Sequence, residues 1–364
     1  MPLKILHLID ELNGYGETRQ LRLLVQQQLA AGSHVRVVAL SADAEVRAAF
    51  EAMGIECCVL QRRWMADPIA FWRLSKALQS TPAELIHTWG KVALNYGLAA
   101  HSKESCPLIA TLFEAPRNTF WNWCRNTFWG QPAQTAVTSH RVAQDCYAQG
   151  FAEESTSIVA LSVAGPGECV VPREQLLAEL NLSSDSLLIA IAGPLVHSKR
   201  IDDAIWCFEL VRTLEDRVHL VIFGDGPDRY RLERYVRLVS ETEAVSFLGY
   251  RADLLELLPN VDVLWQPGEE TTLAGVMLEA MAAQVPVVAS DVPVHRDVID
   301  DGHTGYLFPI GSRAGCARQT QRLLTDATQT AAIKTAATEW AAKGFSPTTA
   351  AESYTEIYRQ ALGK

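Results

Sequence analysis

The sequence has no apolar run near the roughly 18 to 20 residues that a membrane-spanning helix needs. Its opening, "MPLKILHLID", carries one lysine and too short an apolar segment for a secretion signal. Both absences lead to the expectation of a cytoplasmic protein; peripheral contact at the inner face of a membrane is a further expectation that rests on aromatic, arginine-edged segments of the first half. None of the eight cysteines shows C-x-x-C spacing, and Cys57 and Cys58 are adjacent, so neither a zinc site nor a disulfide framework is expected. Basic excess is missing as well. The net charge is −10, and residues 1–160 hold 14 Lys/Arg against 14 Asp/Glu, which leaves the whole acidic excess in the remainder. A nucleic-acid-binding domain would want the opposite balance. Any anionic ligand of the C-terminal part must therefore be held locally, by helix N-termini and single cations. No repeat with a period of roughly 20 to 50 residues occurs, which excludes a solenoid.

What is present is a chain of 364 residues, 48% apolar, enough for two cores. Short β-branched runs alternate with helix-period segments along almost all of it. "LKILHLI", "HVRVVAL", "ECCVL", "ELIHTW", "LIATLF", "TAVTS" and "SIVALSV" read as buried strands of the first half, and "LLIAIAG", "VHLVIFGDG", "AVSFLG", "VDVLWQP", "VPVVAS" and "GYLFP" as those of the second. Such alternation predicts parallel sheets covered on both faces, hence an α/β protein with two Rossmann-like domains. The expected boundaries are 1–165, 166–345 and a terminal helix over 346–364, with "AGPGECVVP" interrupting the pattern between the domains. Open parallel sheets bind ligands outside the carboxyl ends of their strands, so site residues are sought there.

Four stretches stand at such ends. In "AGPLVHSKRIDDAI", Lys199 lies where a strand gives way to a helix, a place for a phosphate to meet both a cation and helix N–H groups; an ordinary surface lysine is the alternative. "IFGDGPDRYRLE" has glycines that permit a tight turn and close approach of a ligand. "DELNGYGETRQLRLL" places Gly14 and Gly16 before a helix, which suits a phosphate or sugar and equally a plain turn. In "PGEETTLAGVMLEAMAAQVPVVAS", Glu279 falls on a helix and Glu270 nine residues earlier in the preceding loop.

The order of these segments resembles the retaining GT-B glycosyltransferases of family four: "YGETRQLRLLVQQQLAAGSHVRVV", "GPLVHSKRIDDAI", "VIFGDGPDRYRLE", "VSFLGYRADLLELLPNVDVLWQP", "VMLEAMAAQVPVVASDVP" and "DDGHTGYLFP". The resemblance covers most of the chain and is more specific in its second half. It implies a GT-B fold, two Rossmann-like domains with their parallel sheets facing across a cleft. It also implies transfer of a sugar from a nucleotide diphosphate sugar, with retention of configuration, to a glycan or lipid-linked acceptor. No metal or other cofactor is implied. By resemblance, Gly16 approaches the donor phosphate, Lys199 holds the diphosphate, Glu279 binds the donor ribose, and the backbone at Tyr250 and Arg251 meets the base. Thr271, Thr272, Leu273 and Ala274 fall in the loop and first helical turn around the donor.

Several positions depart from the family pattern. The first glutamate of E-x7-E should stand at residue 271, which is Thr271; Glu270 is displaced by one and is the candidate to reach the sugar. An arginine expected five residues before Lys199 is Pro194, and the active-site histidine of the first domain is Phe113, followed by Glu114. His87 at a strand end and Glu114 are candidate catalytic replacements, with Lys91 and Arg117 as nearby cations. These losses keep a second reading open, a GT-B protein that binds a nucleotide, glycan or partner enzyme without turnover; a GT-B epimerase is a third. "RNTFWNWCRNTFWG" has no family counterpart, and it reads either as a core-filling helix or as an aromatic, arginine-edged surface, with "LQRRWMADPIAFWRL" as a second such patch.

Overall fold

A computed structural model describes residues 2–14, 16–80, 82–101, 106–163, 171–269 and 275–363. The chain divides into two compact units, one of Met1–Ser162 with Pro347–Lys364 and one of Val163–Ser346.

In the first unit the elements run β1 (Lys4–Leu12), α1 (Gly16–Ala30), β2 (His34–Ala42), α2 (Ala44–Ala52), β3 (Glu56–Val59), α3 (Pro68–Ser80), β4 (Leu85–Trp89), α4 (Lys91–Ala100), β5 (Leu108–Leu112), α5 (Thr119–Cys124) with a π-helical turn at Arg125–Trp129, β6 (Gln134–Val137), α6 (His140–Tyr147) and β7 (Thr156–Ile158). All seven strands are parallel, in the order β3-β2-β1-β4-β5-β6-β7. Central strands β4 and β5 are buried at every residue, as a sheet covered on both faces demands. Residues of α3, α4 and α6, with Trp129 of the π turn, build one hydrophobic layer against the sheet. Residues of α1 and α2 build the layer on the other face.

The second unit repeats the scheme with α7 (Arg173–Glu179), β8 (Leu187–Ala192), α8 (Ile201–Arg212), β9 (Val218–Phe223), α9 (Arg229–Val239), β10 (Val245–Gly249), α10 (Leu254–Leu257), β11 (Val263–Gln266), α11 (Gly275–Ala282), β12 (Val287–Ser290), α12 (Pro293–Arg296), β13 (Tyr306–Phe308), α13 (Arg313–Thr325) and α14 (Ala327–Gly344). Its six strands are parallel in the order β10-β9-β8-β11-β12-β13. Each sheet reverses its strand order once, between β1 and β4 and between β8 and β11. Those crevices are where an open parallel sheet takes ligands.

The last helix, α15 (Pro347–Leu362), belongs to the first unit and completes its second layer with Tyr354, Ile357 and Tyr358. A buried polar chain fixes it there. Trp89 Nε1 donates to His7 Nδ1 at 3.0 Å, which leaves His7 Nε2 to donate to Gln28 Oε1 at 2.9 Å. Gln28 Nε2 donates to Tyr358 Oη at 3.0 Å; that hydroxyl is bonded to His87 Nδ1 at 2.8 Å, and His87 Nε2 to Thr111 Oγ1 at 2.7 Å. The indole donor fixes the tautomer of His7, and each ring nitrogen of His87 has a hydroxyl partner. Burial lowers the pKa of His7 to about 4 and that of His87 well below the usual value.

His87 is thereby corrected. It stands in mid-strand, fully buried, with both ring nitrogens occupied, because its side chain points to the α15 face of the sheet. A catalytic role facing a ligand is not available to it. Among the described residues, no helix is long and apolar enough to cross a membrane.

Tyr358→Phe leaves Gln28 and His87 each short of a partner and should cost ~1–3 kcal/mol in urea unfolding. Because both histidines have depressed native pKa values, the unfolded chain binds protons first, and their stabilisation is present above pH ~6.5 and lost as pH falls toward 4. The urea midpoint of the wild type should drop across that window, and a His7→Gln variant should show a shallower drop.

Candidate functional site

In the second unit, β8 ends at Ala192 and the chain turns through Gly193 at φ +145°, a backbone conformation only glycine adopts readily. One 3-10 turn, His197–Lys199, then leads to Arg200 in the left-handed region (φ +49°, ψ +40°) and the start of α8. This turn folds Lys199 back over the strand end. A Cβ placed on Gly193 would lie 3.5 Å from Lys199 Cε and 3.7 Å from its Nζ, so the ammonium hangs above the carboxyl end of β8.

The glycines of "GDG" serve a different purpose from close approach of a ligand. A Cβ on Gly224 would come within 1.9 Å of Gly193 O, and one on Gly226 within 2.5 Å of Leu195 O. Backbone of the β8 loop already occupies the space, joined by Leu195 N to Asp225 O and Asp228 N to Leu195 O, both 3.0 Å. The two loops are interlocked, which fixes where Lys199 can reach.

On the far side of the crevice, β11 runs into Pro267, Gly268 and Glu269. Ser290 Oγ at the end of β12 donates to Gly268 O at 2.5 Å, and His295 Nδ1 donates to Ser290 O at 2.8 Å. Glu269 N donates to Ser198 O at 2.8 Å, while its carboxylate takes a 2.6 Å bond from Arg200 Nη1. Arg200 also binds Asp203, which Arg313 holds from α13 at 2.7 Å. Sequence reasoning missed Arg200 and Glu269; the one clue was Arg200 directly after the lysine. With its guanidinium committed to two carboxylates, Arg200 does not replace the cation lost at Pro194, which is exposed.

Glu279 lies on α11, half-buried, one turn into the helix. Glu270, Thr271, Thr272, Leu273 and Ala274 lie outside the described residues. Tyr250 is 43% exposed just past β10. Arg251 makes a bidentate pair with Asp253, both bonds 2.7 Å, and a third bond to Glu179, so its side chain is structural and only its backbone is open to a base.

In the first unit, Gly16 opens α1 with open space around the place of a Cβ. At the β1/β4 crevice, Glu114 and Lys91 are joined by two acids that the sequence did not single out, Asp10 and Glu17. Asp10 accepts from the N–H groups of Val92 and Ala93 at the start of α4, and a Cβ on Gly90 (φ +89°) would lie 2.7 Å from its Oδ2 and 3.0 Å from Glu17 Oε2. Glu114 pairs with Lys91 at 2.5 Å. Burial raises the Asp10 pKa to about 6. Burial first, then the Asp10 and Glu114 charges, raises that of Glu17 to about 8. Lys91 is the cation opposing this rise. Phe113, where the family pattern has a histidine, is half-buried with its ring 6.2 Å from that of Trp89, and offers no proton-transfer group.

The "RNTFWNWCRNTFWG" segment divides between its two readings. Arg125 is fully buried, bonded to Asn122 Oδ1 at 3.0 Å and Gln149 O at 2.7 Å, and Trp121 and Trp129, half-buried, lie tilted against each other at 5.5 Å. Phe120, Trp123 and Phe128 face solvent, so a core-filling helix is not what forms.

Residues 172–340 match the model of the glycosyl transferases group 1 family. The chain is 34% identical over 153 residues to N-acetyl-alpha-D-glucosaminyl L-malate synthase of Bacillus anthracis, covering 42% of this chain and 40% of that protein. It is 40% identical over 255 residues to a GDP-mannose-dependent alpha-mannosyltransferase of Mycobacterium tuberculosis, covering 66% of this chain and 64% of that one. The chain thus spans under two thirds of the length of both relatives. Its fold is similar to that of Anabaena Alr3699/HepE in complex with UDP and glucose, with a TM-score of 0.84, 18% identity and coverage of 97% and 98% of the two chains.

Glu17 keeps a proton that the unfolded chain gives up above pH 4.5, so the stability it lends is full below that value and is lost as pH rises toward 8. Replacing it, Glu17→Gln, should raise the melting temperature at pH 8 relative to wild type and leave it nearly unchanged at pH 4, as differential scanning calorimetry at the two values would show.

Proposed function

From the match of residues 172–340 to the glycosyl transferases group 1 family and from the GT-B fold, we propose that the chain is a glycosyltransferase of that family and transfers a sugar from a nucleotide diphosphate donor with retention of configuration. The observation carrying this reading is the position of Lys199, its ammonium held over Gly193 at the β8/β11 crevice. Lys199 binds the donor diphosphate there, and the N–H groups that open α8 add a partial positive charge. Glu279 takes the ribose hydroxyls, Glu270 reaches the sugar, and the backbone at Tyr250 and Arg251 meets the base. Gly16 stands where the family pattern has the glycine that approaches the donor phosphate.

The anomeric carbon's bond to the phosphate oxygen breaks as the acceptor oxygen bonds to the same face of the sugar. The acceptor proton passes to the departing diphosphate oxygen, which serves as the base. No metal ion or other cofactor is required, because Lys199 and the helix N-termini meet the diphosphate charge. The acceptor is a glycan or a lipid-linked sugar. On the acceptor side, Glu114 orients a hydroxyl, with Lys91 as its partner.

Two observations favour a second reading, binding without turnover: Phe113 packs near Trp89 where a polar group belongs, and Pro194 has no cationic replacement in Arg200. Titration of UDP, GDP and ADP and their sugars, by calorimetry, separates the readings. Lys199→Ala should weaken the diphosphate at least tenfold, about 1.4 kcal/mol. Product formed from one of the sugars, with the donor's anomeric configuration by NMR, supports transfer. Nucleotide binding without product from any acceptor supports the second reading, and no binding of any nucleotide sinks transfer and leaves the second reading a glycan or a partner enzyme as its ligand.

A further inference from the structure

The outer side of one helical layer of the first unit is aromatic where a soluble surface would be polar. In and before α3, Trp64 is 63% exposed and Trp72 61%, with Met65, Ile69 and Phe71 also open to solvent. On α5 and the π turn, Trp123 is 55% exposed and Phe128 65%, beside Phe120. Both groups stand on the same face of the sheet, since α3 and the π turn each pack against α4 and share one hydrophobic layer with it. The five-residue π turn carries Phe128 outward, edge-on to Trp123 at 5.1 Å, while Arg125 of the same turn is buried.

Charge on these segments runs against the rest of the chain. Residues 57–83 carry Arg62, Arg63, Arg73 and Lys76 against one acid, Asp67. That acid is buried, accepting from the N–H groups of Arg63, Ile69 and Ala70. In the second stretch, residues 115–144, Arg125 is buried, and Arg117 and Arg141 both pair with Asp145, so its exposed face is aromatic and close to neutral. In a chain of net charge −10, a stretch of exposed tryptophan and phenylalanine with four cations and no exposed carboxylate, beside a second exposed aromatic patch, is out of keeping with general solubility.

Tryptophan and phenylalanine settle at the boundary between headgroups and acyl chains, and arginine or lysine beside them adds attraction to anionic lipid. Each cation near such a surface is worth about 1 kcal/mol. A protein partner would need its own acids placed to match scattered arginines; an anionic bilayer offers negative charge everywhere. We propose that this layer of the first unit docks on an anionic lipid surface, with Trp64, Trp72, Trp123 and Phe128 entering the headgroup region.

The test is co-sedimentation of the full chain with vesicles of phosphatidylcholine containing about one third phosphatidylglycerol, compared with phosphatidylcholine alone, at low and at ~0.5 M salt. The wild type should bind the anionic vesicles at least tenfold more tightly than the neutral ones, and lose most of that binding in high salt. The doubles Trp64→Ala with Trp72→Ala, and Trp123→Ala with Phe128→Ala, should each weaken binding about tenfold. Arg63→Glu with Lys76→Glu should do the same. Trp340→Ala, exposed in the second unit, should change nothing. All the replaced side chains are exposed, and unchanged melting temperatures would verify the folds. Absence of binding at low salt, equal binding to neutral vesicles, or binding unaltered in both aromatic doubles would overturn the proposal. So would a dimer seen by ultracentrifugation and abolished by those doubles without vesicle binding, which would give the face to a second copy of the chain. No sugar nucleotide enters the readout, so failure here leaves the transfer reading standing.

Discussion

A parallel sheet buried on both faces pairs its backbone polar groups internally, and that constraint governs both units. Free N–H groups and reachable side chains are confined to the strand ends, where each turn must bring the chain onto a helix within a few residues. In the second unit this forces Gly193, Gly224 and Gly226 into one tight stack, and the Lys199 side chain lies against it. In the first unit the same geometry delivers Asp10, Glu17 and Lys91 to the end of β1 and the start of α4. Two crevices made alike thus differ in charge: a cation stands in one, and in the other two carboxyls are raised in pKa by burial.

The interior of the first unit follows the second half of the constraint. Burying His7 and His87 in a sheet is tolerable only if each ring nitrogen finds a partner. The Trp89–His7–Gln28–Tyr358–His87–Thr111 chain supplies all of them, and two members come from helices on the same layer, α1 and α15. The polar chain, with the Tyr354 hydroxyl bonded to Thr111 at 3.1 Å, therefore specifies which helix closes that layer, something the apolar Ile357 alone leaves open.

The alternation of buried runs made the sheets legible. Each strand segment read from the sequence overlaps a strand of the structure, "SIVALSV" only at Ser157 and Ile158 of β7. The strand ends were legible for the same reason, and they located Lys199. His87 was misplaced because its deciding partner, Tyr358, is 271 residues away, and nothing local distinguishes a histidine facing a helix from one facing a ligand. Arg200 and Asp10 were missed because their roles come from loops folded against one another. The "GDG" glycines looked ligand-facing because close approach of any backbone leaves the same signature. In the tryptophan segment, a helical period cannot announce a π turn, and that turn sends Arg125 inward and Phe128 outward.

The place of α15 also sets an order in time. A ribosome delivers the first 162 residues long before Tyr354 and Tyr358 exist, with the whole second unit made in between. At roughly 5–20 residues per second that interval lasts on the order of 10–40 s. Throughout it the nascent first unit has a sheet with one face half open and with Gln28 and His87 lacking their common hydroxyl. The second unit, contiguous in sequence, has no such wait, so the part of the protein synthesised first is the last to be finished.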